Sequence, residues 1–272
     1  MHFVLILNIQ RKYKKICRDF CNFVQILFWD NEITKGGEKM NNNNISQIEP
    51  LLETRAFIYD VLRRAFLQEP TLEFLTFLND GSLFENFPFQ EEQQDIREGV
   101  EQILALIHEK DLTKAEVFDS LHWDYTRMFI GPDRLPAPLW ESAYLSKERL
   151  LFQEQTLKVR QAYLKYQFLP RNFMQEADDH LGLELDFMYQ LTLKARQAMN
   201  EGNIEKLQQI FTDQKDFLEN HLLQWVPELA LKIRENAQSS FYPGIAKILK
   251  GFLTLDLEAL EELMDSTQCC VK

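Results

Sequence analysis

Residues 125–145 read YTRMFIGPDRLPAPLWESAYL, and this stretch decides how the chain is organised. A helical run ends at Ile130, because Gly131 supplies backbone freedom and Pro132 cannot continue a helix. The loop that follows combines prolines with the apolar residues Leu135, Leu139 and Trp140. Such a loop is costly to leave in water, so we expect it either to be a buried connection or to line a groove.

Outward from this loop the chain reads as a series of helices. Apolar residues recur at spacings of three and four, as in residues 51–67, and no series of strands, internal repeat or glycine-rich phosphate loop is present. Glycine and proline number only 9 each in 272 residues. We predict an all-α single globular domain over residues 40–272, with roughly ten or more helices.

Local signals place some of these helices. The capping-box pattern Thr113–Glu116 predicts a helix that starts there and runs to Ile130. Residues 84–89, FENFPF, are expected to form an aromatic loop. Residues 147–168 are expected to form one long helix with Leu157 facing the core.

Charge and cysteine content exclude several functions. The net charge is −12, and residues 40–272 carry 15 net negative charges because residues 1–39 are basic. An acidic body argues against a nucleic-acid partner and suits a basic peptide. The 4 cysteines form neither a disulfide framework nor a zinc-ligand pattern, so we predict a reduced, cytoplasmic protein without a metal.

Residues 1–39 differ from the rest of the chain. Their first apolar run is too short to span a membrane, and its basic cluster follows the run, the reverse of a secretory signal. The codons for Lys35-Gly36-Gly37-Glu38-Lys39-Met40 would be purine-rich, like a ribosome-binding site before a start codon. We expect a non-native or disordered extension; a genuine amphipathic helix is the alternative.

Three motifs resemble those of the TorD/DmsD family, cytoplasmic chaperones for molybdenum oxidoreductases. The first motif resembles the family pattern Y-x-x-x-F-x-G-P followed by P-x-W-x-S-x-Y. Its positions here are Tyr125, Phe129, Gly131, Pro132, Pro138, Trp140, Ser142 and Tyr144.

The second motif covers residues 176–188 and is similar to E-P-x-D-H-x-x-x-E-L-x-F-M, with Ala177 in place of the usual proline. It includes Glu176, Asp179, His180 and Glu184. The third motif covers residues 217–227 and resembles F-x-x-x-H-L-x-x-W-x-P. The three motifs occur in the family's order.

The resemblance implies a binding protein, not an enzyme. Family members bind twin-arginine signal peptides and the apo-forms of molybdenum oxidoreductases before export. Carboxylates would receive the arginines and an apolar groove the rest of the leader. The residues expected to bind peptide are Leu135, Leu139, Trp140, Tyr144, Glu176, Asp179 and His180, with Asp178 and Glu141 as further acids.

The remaining motif positions are expected to be structural, namely Tyr125, Phe129, Gly131, Pro132, Pro138 and Glu184. Some family members are associated with guanine nucleotide, but without a phosphate loop we predict no cofactor. Monomer and homodimer both remain open.

The residues alone leave alternatives open. His180 among carboxylates is consistent with a satisfied residue at a helix start, a ligand contact or an acid–base catalyst. A helical enzyme, possibly a hydrolase, using Glu176, Asp179 and His180 is therefore one alternative. A scaffold that binds amphipathic helices is the other. His108, His122 and His221 are expected to be structural.

Overall fold

The computed structural model describes residues 42–132, 134–145, 154–169 and 176–268. All regular elements in these ranges are helical, and an isolated antiparallel bridge joins Trp140 and His180. The predicted all-α fold is confirmed. The expected extension at residues 1–39 lies outside the described residues.

The helices are numbered in chain order, and two of them continue into short π-helical turns. The α-helices are α1 Asn42–Leu67, α2 Leu72–Leu78, α3 Gly81–Glu85, α4 Gln94–Glu109, α5 Ala115–Tyr125, α6 Ser142–Leu145, α7 Glu154–Lys165, α8 Leu181–Asn200, α9 Ile204–Phe217, α10 Leu223–Asn236 and α11 Phe241–Gln268. The π turns are Thr126–Ile130 after α5 and Leu218–Leu222 between α9 and α10.

Two long helix pairs form the framework of the fold. α1 packs along α8, and α4 packs along α11, while α9 and α10 also pack on α11. A buried polar contact ties the two pairs together. Arg55 on α1 donates to Asp256 on α11 at 2.5 and 3.0 Å, and the Tyr59 hydroxyl donates to the same carboxylate at 2.6 Å. This contact fixes the position of α1, and hence of α8, relative to α11.

The residues that open the first motif are part of this core. The Tyr125 hydroxyl donates to the Phe66 carbonyl at 2.9 Å, and the rings of Tyr125 and Phe129 pack edge to face against each other. Both rings also contact Tyr242. Gly131 follows with a φ of 102°, a value that favours glycine. The start of the Trp140 loop is thereby anchored.

Three local predictions were wrong. Thr113 does not cap α5, because the N-cap position is Lys114, which makes no side-chain cap bond, while Thr113 donates its backbone N–H and hydroxyl to Asp111. Part of the expected aromatic loop is the short helix α3, which Asp80 caps by accepting from the Ser82 N–H. Leu157 is 54% exposed on α7 rather than buried.

Candidate functional site

The first and second motifs meet as a short antiparallel contact at the start of α8. The Leu181 N–H donates to the Leu139 carbonyl at 2.8 Å, and the Glu141 N–H donates to the Asp179 carbonyl at 3.0 Å. Between these two bonds Trp140 lies opposite His180, with their ring centroids 5.6 Å apart. Residues far apart in the sequence therefore form one structural unit.

Trp140 and Glu176 form the accessible part of this unit. The indole Nε1–H of Trp140 donates to Glu176 Oε1 at 2.8 Å, and both side chains are half-buried. The bond orients the indole plane beside a carboxylate. The pair thus presents an aromatic surface next to a negative charge, the combination that a cationic and apolar peptide needs.

The two aspartates of the second motif are enclosed. Asp179 accepts from the Ser142 N–H and from the Thr156 hydroxyl, each at 2.8 Å. Asp178 is paired with Arg160 on α7. Both carboxylates are almost fully buried, so they hold the Trp140 loop, α7 and the start of α8 together.

His180 is the N-cap of α8. Its Nδ1 accepts a hydrogen bond from the Gly182 N–H at 3.1 Å, which requires an unprotonated Nδ1. Burial lowers the pKa of His180 to about 4, although the neighbouring Asp179 opposes this shift. His180 is therefore neutral near pH 7 and acts as an acceptor at the helix start.

The other predicted binding residues differ in exposure. Leu139 is buried, whereas Leu135 and Tyr144 are half-buried. The Tyr144 ring packs on Trp225 with centroids 5.2 Å apart, and Lys232 Nζ lies 4.1 Å from the Tyr144 centroid. These contacts bind the end of the Trp140 loop to α10.

The third motif reaches the same place through His221. Its Nδ1 lies 2.9 Å from Glu141 Oε2, and both side chains are buried. The partner of His221 could not be inferred from sequence because 80 positions separate the two residues. All three motifs therefore converge around Trp140 and the start of α8.

Two cavities lie between α8 and the end of α7, and the smaller one also reaches α9 and the second π turn. Their volumes are about 260 and about 230 Å³, and both are lined by Tyr166 and Phe187. The smaller cavity also reaches Phe217 and His221, with Asp213 and Asp216 in its wall. Sequence analysis missed these lining residues because aromatic residues at helical spacing usually indicate core.

The acids and histidine of the second motif do not form a catalytic set. Glu176 bonds to Trp140, Asp179 to Ser142 and Thr156, and His180 to the backbone of α8. Across the described ranges no cluster of three or more potential ligand residues could hold a metal ion. No described helix is long and apolar enough to cross a membrane.

The described helical body brings three motifs together around the half-buried pair Trp140 and Glu176. The family model for the nitrate reductase delta subunit matches residues 90–230, and the chain belongs to this family. It is the TorD family of redox-enzyme maturation chaperones, so the predicted resemblance is confirmed.

Curated relatives agree with this assignment. Chaperone protein TorD of Aliivibrio salmonicida is 27% identical over 216 residues, covering 79% of this chain and 99% of the relative. Chaperone protein TorD of Vibrio atlanticus is 24% identical over 208 residues, covering 76% and 95%. The protein of the same name from Vibrio parahaemolyticus is 24% identical over 213 residues, covering 78% and 97%. These relatives are named chaperones and not enzymes, as the sequence motifs predicted.

Proposed function

We propose that this protein is a cytoplasmic chaperone that binds the twin-arginine signal peptide and the apo-form of a molybdenum oxidoreductase. It would hold the precursor back from export until maturation is complete. The observation that carries the proposal is the convergence of three distant motifs on the half-exposed pair Trp140 and Glu176.

Glu176 is the proposed receptor for a guanidinium group. Its Oε1 accepts from Trp140 and from the Ala177 N–H, while Oε2 accepts no hydrogen bond from any residue that the structure describes. A guanidinium could bind Oε2 and stack on the indole of Trp140 in one pose. The net charge of −12 supports attraction of a basic leader.

The enclosed residues have a positioning role in this proposal. Asp179 and His180 already use their hydrogen-bonding atoms to fix the Trp140 loop and the start of α8. Leu139 is packed beneath the same loop. These residues would affect peptide affinity by setting the position of Trp140 and Glu176, without touching the arginines.

The apolar part of the leader would lie along the cavities between α7, α8 and α9. Tyr166, Phe187 and Phe217 supply an aromatic lining there, and His221 connects the smaller cavity to Glu141 beside Trp140. Leu135 and Tyr144 offer further half-buried apolar surface on the Trp140 loop. An apolar groove beside a carboxylate matches the order of charge and hydrophobicity in a leader.

Substitution of Trp140 tests this site. We expect Trp140→Ala to weaken binding of a synthetic leader with an Arg-Arg pair by about 1–3 kcal/mol, the range for an aromatic anchor. Trp123→Ala is the matched control, because Trp123 is 65% exposed on α5, outside the three-motif site. Binding is measured by calorimetric titration, with circular dichroism confirming that both variants fold. If both variants lose leader affinity equally, or neither loses any, Trp140 is not part of the binding site.

A further inference from the structure

A buried polar cluster lies beneath Trp140 and contains side chains from all three motifs. Its members are Glu141 after Trp140, Glu184 in the first turn of α8, His221 in the second π turn and Trp225 in α10. Glu141, Glu184 and Trp225 have no solvent exposure, and His221 is 8% exposed. Two buried carboxyl groups are costly unless they form hydrogen bonds or one of them is neutral.

Most polar atoms of this cluster have no close partner. His221 Nδ1 contacts Glu141 Oε2 at 2.9 Å. By contrast, Glu141 Oε1, both carboxyl oxygens of Glu184 and Trp225 Nε1 are buried without a hydrogen bond of ordinary geometry to the described residues. Glu141 and Trp225 are nevertheless close enough to influence the Glu184 carboxyl as hydrogen-bonding groups. Four unpaired atoms in one place would be costly unless they pair with one another.

The protonation state of Glu184 decides whether they can pair. Burial first, and then the charges of Glu141 and Asp179, raise the pKa of Glu184 well above its usual value. A protonated Glu184 can donate its O–H to Glu141 Oε1 and accept from Trp225 Nε1–H with its other oxygen. An ionised Glu184 could only repel Glu141.

The surrounding charged groups favour the same state. Asp179 faces Glu184 from the turn before α8, and Tyr163 faces it from α7. On the side of α1, Arg63 lies 3.4 Å from Asp186 of α8. The groups that act most strongly on Glu184 are the acids Glu141 and Asp179, which disfavour its ionisation, and Trp225, which opposes them.

We infer that Glu184 is a positioning residue that works as a neutral acid in a hydrogen-bonded series of side chains, from His221 through Glu141 and Glu184 to Trp225. This series fixes the Trp140 loop to α8 and α10, directly or through an enclosed water. It exists without a bound peptide, so the inference goes beyond the proposed function. Only its effect on leader affinity rests on that function.

The test compares thermal unfolding of the parent, Glu184→Gln and Glu184→Leu across pH. Glutamine keeps a donor and an acceptor but cannot lose a proton. Above about pH 4.5 an unfolded Glu184 releases its proton while the folded one retains it, so parent stability falls as pH rises. Between about pH 5 and about pH 8 we expect the melting temperature of Glu184→Gln to rise relative to that of the parent.

Two controls make this result decisive. Glu109→Gln, at a side chain 71% exposed, should show a pH-independent difference from the parent. Glu184→Leu should unfold at lower temperature than Glu184→Gln at every pH, because it leaves Glu141 Oε1 and Trp225 Nε1 unpaired. Parallel curves for the parent and Glu184→Gln would overturn the inference. That comparison stands even if Glu184→Leu fails to fold.

Leader binding separates this inference from the proposed function. With an Arg-Arg leader, the parent should lose affinity at alkaline pH while Glu184→Gln retains it. If the unfolding curves diverge as expected but no leader binds, the inference about neutral Glu184 stands and the proposed function fails. If leaders bind but the unfolding curves are parallel, the proposed function stands and the inference about neutral Glu184 is wrong.

Discussion

His180 caps α8 with a ring nitrogen, so its protonation competes with the cap. Nδ1 accepts from the Gly182 N–H at 3.1 Å, and the pKa of His180 is lowered to about 4 by burial. An unfolded histidine takes up a proton near pH 6.5. Between these two pH values the unfolded state holds more protons, so stability falls as pH falls.

Replacing this cap should reduce the acid sensitivity of the protein. His180→Asn keeps a side-chain acceptor at the N-cap and removes the titrating group. When the pH falls from about 6.5 to about 4, we expect the free energy of unfolding to decrease by roughly 2–3 kcal/mol more in the parent than in the variant. Urea unfolding at several pH values measures this difference. His108→Asn, at an exposed position on α4, is the control, and equal acid losses in parent and His180→Asn would contradict the account.

At the residue scale, the sequence motifs predicted that Trp140 and His180 lie near each other, but not the state of each side chain. Trp140 and His180 lie side by side, as two motifs of one site would. The enclosure of Asp179 could not be predicted, because Ser142 and Thr156 come from other segments of the chain. Burial of a carboxylate depends on such distant partners, and motif spacing carries no information about them.

At the element scale, glycines set how closely the long helices approach. A Cβ on Gly99 of α4 would lie 2.5 Å from the Gly244 carbonyl oxygen of α11. A Cβ on Gly182 of α8 would lie 2.4 Å from Leu67 Cα at the end of α1. The α4–α11 pair and the α1–α8 pair therefore each contain a point where the two helix backbones are too close for a side chain to fit between them.

Adding one methyl group at Gly99 should force α4 and α11 apart. We expect Gly99→Ala to lower the free energy of unfolding by about 1–3 kcal/mol, the usual cost of overpacking. Gly81→Ala is the matched control, because a Cβ there has nothing within 4 Å. It should change stability by no more than about 0.5 kcal/mol. Urea unfolding of both variants gives the comparison, and a Gly99→Ala variant as stable as Gly81→Ala would show that the helix pair adjusts freely.

Helix periodicity identified most elements, and the errors occurred at helix ends. Apolar spacing in residues 51–67 correctly predicted the core face of α1, where Leu52, Ile58 and Leu62 are fully buried. The Thr113 cap was wrong because α5 begins at Ala115, with Lys114 at the N-cap, and Thr113 bonds to Asp111 instead. Caps depend on single hydrogen bonds, whereas a buried helix face depends on many residues and is easier to predict.

At the scale of the whole molecule, the described core begins at Ile48 and continues to Leu263. Residues 1–39 differ in charge and composition from this body. We expect deletion of residues 1–39 to leave the melting temperature and leader affinity unchanged, because the core that the structure describes is built from residues after them. Scanning calorimetry and leader titration of the shortened chain check this prediction. A large loss of folded protein would show that the segment contributes to the fold.

The class of the protein was predictable from sequence, whereas the groove was not. Three motifs in family order were enough to identify the chaperone family that residues 90–230 match. The cavities lined by Tyr166 and Phe187 depend on how α7, α8 and α9 pack, which no motif encodes. Client specificity would arise from that packing.

The proposed function requires that the protein recognise paired arginines in a leader peptide. The most direct measurement is a calorimetric titration of the parent and Glu176→Gln with two synthetic leaders that differ only in Arg-Arg against Lys-Lys. We predict that the parent binds the Arg-Arg leader at least about tenfold more tightly, since a planar guanidinium can donate to Glu176 Oε2 and stack on the Trp140 indole in one pose, which the ammonium of lysine cannot match. Glu176→Gln should lose this preference, because it removes the charge and keeps an acceptor for Trp140. Equal binding of both leaders by the parent, or an unchanged preference in Glu176→Gln, would contradict the account.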